Sequence, residues 1–381
     1  MITTYIMEIK KIFIILILSY LSLFCLKTVE IDKYGREIKG KETVVKKPSG
    51  EFYAADNDSI YYYGRVDLDD EEAKFDFPGI NIIAGFEGTS CTVYLVDGGN
   101  DYNIFIDNEF KSVLVTKPEV QIYKVAKGLK DGKHTIKIVK RTEASYGIAV
   151  FKGLILDKGK KLFKVSDMQK RKIEFIGDSI TCGYGNEGPS INCDSLRKYE
   201  NVSKAYGPVT AEGLNAEYNI IAISGKGVVR NYGDKSKISP DPVSFYYRRT
   251  LQNISDNNWD FTKWVPDLVV IALGANDFST EPHPDKDVFE NEYKKFVSFI
   301  RKNYRNAKIL ILNTHPDNEA QKKNLENVYN KLKNDGVKDI YYFDLPLYNN
   351  TEVGCDYHPL VNVHKRFTDS LAPYIKQIMG W

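Results

Sequence analysis

Ile173-Glu174-Phe175-Ile176-Gly177-Asp178-Ser179-Ile180-Thr181 is the stretch on which the reading of this chain turns. Its first four residues, apolar except for Glu174, read as a short, largely buried strand. Gly177 breaks the strand, and Asp178 and Ser179 follow in the turn. A serine just past the carboxyl end of a strand lies at the crevice where open α/β sheets bind ligands. A plain structural turn has the same local sequence, so the flanking chain has to decide.

Downstream, apolar runs alternate with helical periods. Strands are expected at Ile173–Ile176, Asn219–Ile223, Leu268–Leu273, Ile309–Leu312 and Ile340–Phe343. Helices are expected near Tyr206–Glu217, Val288–Tyr304, Glu319–Asn334 and Lys365–Met379. This is the signature of a five-stranded parallel sheet wrapped by helices, an α/β/α domain over 170–381. Upstream, from about Glu30 to Lys160, short runs such as Ile80–Ala84, Thr92–Val96, Tyr102–Ile106 and His134–Val139 recur between turns such as Asp97-Gly98-Gly99 and Asp131-Gly132. That rhythm reads as an all-β sandwich over 30–160. A Lys-rich junction, Asp157–Lys172, joins the two, and 381 residues suit two domains.

The amino terminus reads as a targeting segment over 1–28. Lys10 and Lys11 precede the charge-free run Ile12–Leu26, nearer a signal-peptide core than a membrane span of about 20 residues. Secretion is the main expectation, with an uncleaved signal anchor as the alternative; Phe24 before Cys25 is not the small residue that lipid attachment needs. Acceptor triplets for N-glycosylation at Asn57, Asn201, Asn253 and Asn349 fit that route. Cys91, Cys182, Cys193 and Cys355 allow three disulfide pairings, of which Cys182–Cys193 is the nearest in sequence, and free buried thiols remain open. A net charge of +2 with scattered basic residues gives no reason to expect nucleic acid or an acidic membrane.

The first three strand ends of the second half each carry a candidate group, and a fourth group lies near the carboxyl terminus. The first leads to Gly177-Asp178-Ser179, the second to Ile223-Ser224-Gly225-Lys226-Gly227, the third to Gly274-Ala275-Asn276-Asp277, and the carboxyl-terminal region brings Gly354-Cys355-Asp356-Tyr357-His358-Pro359. Together they meet the needs of acyl transfer. A serine hydroxyl becomes nucleophilic when an imidazole takes its proton, and a carboxylate or carbonyl must hold that imidazole in the right tautomer. The oxyanion needs donors placed in advance. In this scheme Ser179 attacks, His358 is base and then acid, and the N–H groups of Ser179 and Gly225 with the Asn276 amide form the oxyanion hole.

These four blocks resemble the SGNH (GDSL-like) hydrolases, with Ser179, Gly225, Asn276 and His358 in the family's order over roughly Lys172–Trp381. Closer likeness is to carbohydrate esterase family 2, carried by Gly177–Gly185, Ile223–Gly227 and Gly274–Ser279. The resemblance implies an amino-terminal sandwich of jelly-roll type. It also implies a secreted, metal-free and cofactor-free enzyme that removes acetyl groups from plant cell-wall polysaccharides such as xylan or glucomannan. One departure concerns the acid. The broad pattern has the aspartate three residues before the histidine, whereas Asp356 lies two before His358. Asp356 is the expected orienting group, with a backbone carbonyl as the alternative.

Expected substrate contacts are Tyr357 first, then Tyr184, Trp264 and Arg230; for Trp264 core packing competes, and Arg230 could pair with a structural carboxylate. The remaining histidines have no spacing with Asp, Glu or Cys that marks a metal site. Two rivals stay open: a hydrolase of lipid acyl esters, which chain-length profiling separates, and a carbohydrate-binding surface protein with an esterase-like fold, which polysaccharide binding without acetate release would favour.

Overall fold

Strand Arg171–Gly177, which carries the decisive stretch, takes the second place in a five-stranded parallel sheet. The order across the sheet is Ala216–Ala222, Arg171–Gly177, Leu268–Ala272, Lys308–Asn313 and Ile340–Asp344. Every residue of Leu268–Ala272 is buried, as expected of a parallel strand covered on both faces. Helices Tyr206–Gly213 and Val361–Met379 cover one face, through Tyr206, Phe367 and Leu371. Helices Lys286–Asn303 and Glu319–Asn334 cover the other, through Phe289, Phe296 and Leu325. The strand order reverses between the first and third strands, and such a switch point opens a crevice at the carboxyl ends.

The computed structural model describes residues 30–31, 37–38, 49–166 and 169–381. The targeting segment read over 1–28 lies outside them. The final helix begins at Val361 rather than Lys365, which places His364 inside it, with its Nδ1 accepting the Tyr206 N–H at 3.2 Å.

The first half is a sandwich of two antiparallel sheets, each of six strands. One centres on Asn81–Gly88, Asp101–Ile106 and Gly132–Lys140, the other on Cys91–Val96 and Ala149–Leu156. Ile82, Ala84, Phe86, Ile104 and Ile138 from one sheet and Val93, Leu95 and Phe151 from the other build one core, the alternation that a sandwich requires. The Lys-rich junction adds Leu162–Phe163, paired with Asn81–Gly88.

The odd polar residue of the first parallel strand is explained by the contact between the two halves. Glu174 is fully buried, and its carboxylate meets Arg65 of the sandwich at 3.4 Å, the Tyr247 hydroxyl at 2.6 Å and Asn219 Nδ2 at 3.2 Å. Arg65 also donates to the carbonyls of Tyr247 and Arg249. A buried carboxylate is tolerable only with such partners. Asp76 makes a second tie, accepting the N–H groups of Gln252 and Asn253 at 2.9 and 3.0 Å. The Asn201 amide is buried too, bonded to Glu187 and Asn103; of the four glycosylation triplets, this one is closed to a glycan in the folded chain.

Candidate active site

Ser179 opens a short helix, Ser179–Cys182, directly after the first parallel strand. Asp178 caps it, accepting the Ile180 N–H at 3.1 Å. Gly177 has to be glycine, since a Cβ there would lie 2.0 Å from Thr181 Oγ1. The turn is therefore tight enough to leave the serine at the sheet's carboxyl edge. Gly225 follows the second strand with φ +77°, a conformation that favours glycine. Asn276 lies in the short helix Ala275–Phe278 after the third strand, its amide held between Lys226 O at 3.0 Å and the Asp178 carboxyl at 3.3 Å. No hydrogen bond from the Ser179 or Gly225 N–H forms within the described residues.

His358 completes the group. Its Nε2 lies 2.7 Å from Ser179 Oγ. Its Nδ1 lies 3.0 Å from the Asp356 carbonyl and 3.2 Å from the Cys355 carbonyl, so Nδ1 carries the proton and Nε2 faces the serine as acceptor. Burial pushes the His358 imidazole below its ordinary value, against the opposing pull of those carbonyls and the Asp356 charge. The Tyr184 ring packs 4.4 Å from the imidazole, centre to centre.

The Asp356 carboxylate does not take the orienting position expected for it. It accepts the Tyr184 hydroxyl at 2.8 Å instead. In an extended loop, residues two apart share a side, and the Asp356 carboxylate could then face His358. Asp356 and Tyr357 are both left-handed, with φ +50° and +64°, and this turn offers the histidine the backbone while the carboxylate points to Tyr184.

Disulfide Cys193–Cys355 anchors the same turn. The short-range pairing Cys182–Cys193 is not formed; Cys182 is a buried free thiol. The glycines around the disulfide are required by contact, because a Cβ on Gly188 would lie 2.6 Å from Cys355 Sγ.

These residues share one cleft of about 790 Å³, lined by Ser179, Gly225, Asn276 and His358 with Tyr184, Tyr232 and Tyr357. Tyr357 and Tyr232 are largely exposed at 60% and 63%, leaving flat faces free for a ligand. Two of the expected contact residues lie elsewhere. Trp264 precedes the third strand and so sits at the amino end of the sheet, where its Nε1–H donates to Glu217 at 2.9 Å. Arg230 is fully buried, and its guanidinium donates to the carbonyls of Asp234 and Thr280, both at 2.7 Å. It ties the Gly225 loop to the Asn276 loop from behind.

Two further features belong to the site. The Asp277 carboxylate accepts the N–H groups of Val228, Val229 and Arg230 at 2.8 to 2.9 Å, locking the two oxyanion-side loops together; burial nonetheless raises it to about 6. Its signal in the sequence was only an acid beside Asn276, which equally fits a turn. His315 lines the cleft beside Tyr348, whose hydroxyl lies 3.2 Å from its Nε2. Burial lowers His315 to about 4, so it is neutral near pH 7.

Comparison with known proteins agrees in both halves. Residues 62–165 match the carbohydrate esterase 2 N-terminal domain, and residues 173–373 match the GDSL-like lipase/acylhydrolase family. The chain is 32% identical over 359 residues to an acetylxylan esterase / glucomannan deacetylase of Cellvibrio japonicus, covering 87% of this chain and 95% of that protein. It is 37% identical over 336 residues to the cellulase/esterase CelE of Acetivibrio thermocellus, covering 86% of this chain but 40% of that longer protein. Among solved structures, a family two carbohydrate esterase from Clostridium thermocellum in complex with cellohexaose superposes with a TM-score of 0.80 at 34% identity, over 84% of this chain and 99% of that one. The chain belongs to carbohydrate esterase family 2.

Proposed function

We propose that this family 2 member is a secreted serine esterase that removes O-acetyl groups from plant cell-wall polysaccharides of the xylan and glucomannan type. The observation that carries the reading is the 2.7 Å contact between His358 Nε2 and Ser179 Oγ, set in a cleft with Gly225 and Asn276. Ser179 Oγ attacks the acetyl carbonyl while His358 Nε2 takes its proton. The carbonyls of Asp356 and Cys355 hold the Nδ1 proton, so the imidazole keeps the tautomer that leaves Nε2 basic. The N–H groups of Ser179 and Gly225 receive the oxyanion, joined by the Asn276 N–H that leaves its longer, 3.3 Å contact with Asp178. His358 returns its proton to the departing sugar oxygen. Water, deprotonated by the same nitrogen, then releases acetate from Ser179.

The substrate class is supported by the relatives named acetylxylan esterase / glucomannan deacetylase and by the exposed faces of Tyr357 and Tyr232 at the cleft. Such faces suit a sugar ring more than an alkyl chain. Secretion is supported by the charge-free amino-terminal run and by the Cys193–Cys355 disulfide, a bond that persists in oxidising compartments.

The test is acetate release from acetylated xylan and acetylated glucomannan by the parent and by Ser179→Ala. Release by the parent alone supports the proposal and ranks the polymers. A soluble, folded parent that releases none, yet hydrolyses long-chain esters or only binds the polymers, overturns it.

A further inference from the structure

We propose that Glu143, at the edge of the β-sandwich, is a positioning residue for the oxyanion hole of the adjoining domain. Its carboxylate accepts the Ser224 N–H at 2.9 Å, and Ser224 immediately precedes Gly225. The inference rests on the reading of Gly225 as an oxyanion donor. In it, the sandwich is part of the esterase machinery as well as a neighbour of it.

The Gly225 turn is closed by the Lys226 N–H to Ile223 O bond at 3.3 Å and by Asn276 on Lys226 O at 3.0 Å, and it is held at two further points. On one side Glu143 fixes the Ser224 N–H; on the other the Tyr232 N–H donates to Gly225 O at 2.9 Å. Between them Gly225 adopts φ +77°, a conformation that a loosened turn would abandon for others open to glycine. Ser224 and Gly225 both line the cleft, so a change in their peptide plane redirects the N–H that faces the reacting carbonyl.

Glu143 is itself pinned. It lies between strand Gly132–Lys140 and the single turn Ala144–Tyr146. Its own N–H donates to Glu200 at 2.6 Å, the Val202 N–H donates to Arg141 O at 3.1 Å, and Asn253 Nδ2 donates to Ala144 O at 2.9 Å. The α/β domain thus grips the segment that in turn grips its oxyanion loop. Around the same carboxyl lie the Ser224 hydroxyl, the Cys182 thiol at 4.0 Å and the charge of buried Lys140. Burying a carboxyl for so few donors is costly, and a neutral carbonyl would satisfy the Ser224 N–H as well. The carboxyl instead supplies reach from a second domain. Burial raises it above the ordinary carboxylate range, opposed by its bonds to Ser224 and by the Lys140 charge.

The experiment compares Glu143→Ala, Glu143→Gln and Glu143→Asp in the full chain, with Asn276→Ala alongside. The readouts are kcat and KM for a soluble acetyl ester and the affinity for a boronic acid, which forms a tetrahedral adduct on a serine. Misplacing a catalytic group by an ångström can cost about a hundredfold in rate. Glu143→Ala is therefore expected to lower kcat by about ten- to a hundredfold with little change in KM, and boronate affinity should fall in step. Glu143→Gln keeps the acceptor at the same reach and should stay within about threefold of the parent, whereas Glu143→Asp withdraws it by one methylene and should resemble the alanine variant. A folded Glu143→Ala with unchanged kcat overturns the inference. Should that variant not fold, the Gln and Asp pair decides: equal activities overturn the inference, and retention by Gln alone supports it. If Asn276→Ala keeps full activity, the oxyanion reading itself fails; if Asn276→Ala is impaired and Glu143→Ala is not, only the role of Glu143 fails.

Discussion

Replacing Asp356 with asparagine separates two ways of holding His358. If a carboxylate orients the imidazole, as in the triads of many serine hydrolases, removing its charge costs about 10⁴ in kcat. In this chain the Nδ1 proton is held by two main-chain carbonyls, at 3.0 and 3.2 Å, and the carboxylate is engaged with the Tyr184 hydroxyl at 2.8 Å. Asparagine tolerates the left-handed backbone that residue 356 requires (φ +50°), so the loop keeps its shape. The amide oxygen still accepts from Tyr184, and what is lost is the charge assistance of one exposed hydrogen bond. That is worth about 1 kcal/mol, or a factor of about five in rate if all of it reaches the transition state. Steady-state kinetics on an acetyl ester with Asp356→Asn should therefore show kcat within about tenfold of the parent. A loss of a thousandfold or more in a variant with the parent's thermal midpoint would falsify the backbone-dyad reading.

The remaining expectations follow from the same geometry. Because burial holds His358 below its ordinary value and the base must be neutral, kcat/KM is present above the lowered value and lost as pH falls through it. The acid limb of a pH–rate profile should lie below about 6.5, and a limb centred above 7 would contradict the assignment. The Cys193–Cys355 bond closes a separation of 162 residues, for which chain entropy alone gives about 5 kcal/mol; reduction of the folded protein should lower the thermal midpoint and, because the Cys355 carbonyl faces His358, the activity as well. Unchanged kinetics after complete reduction, verified by thiol counting, would remove the disulfide from the account. Arg65→Ala leaves Glu174 buried without its cation and should destabilise the chain by about 3–5 kcal/mol, read by urea denaturation. A loss below about 1 kcal/mol would mean that the hydroxyl and amide partners suffice.

Much of the architecture was legible because parallel strands announce themselves as runs buried on both faces, such as Leu268–Ala272. The cleft was legible for a related reason: polar groups directly after such runs must gather at the carboxyl edge, and Ser179, Gly225 and Asn276 do, joined by His358 from the loop before the final helix. What escaped depends on pairings that sequence distance hides. Glu174 meets Arg65 across 109 positions, and Cys355 meets Cys193 rather than the nearer pair forming. Trp264 lies just before the third strand, and a residue before a parallel strand lies at the end opposite the site. Arg230 follows Gly225 closely but turns inward, where Asp234 and Thr280 offer carbonyls. The aim of Asp356 was set by two left-handed residues in succession, a conformation no spacing rule announces.

The central claim is that acetyl passes through Ser179, and the most direct test is to look for it there. The parent, mixed with an activated acetyl ester, quenched in acid and mapped by mass spectrometry after proteolysis, should carry an acetyl group on the peptide containing Ser179. Ser179→Ala should carry none and should not turn over. Rapid turnover with the acetyl group on another residue, or a Ser179→Ala variant as active as the parent, would contradict the account.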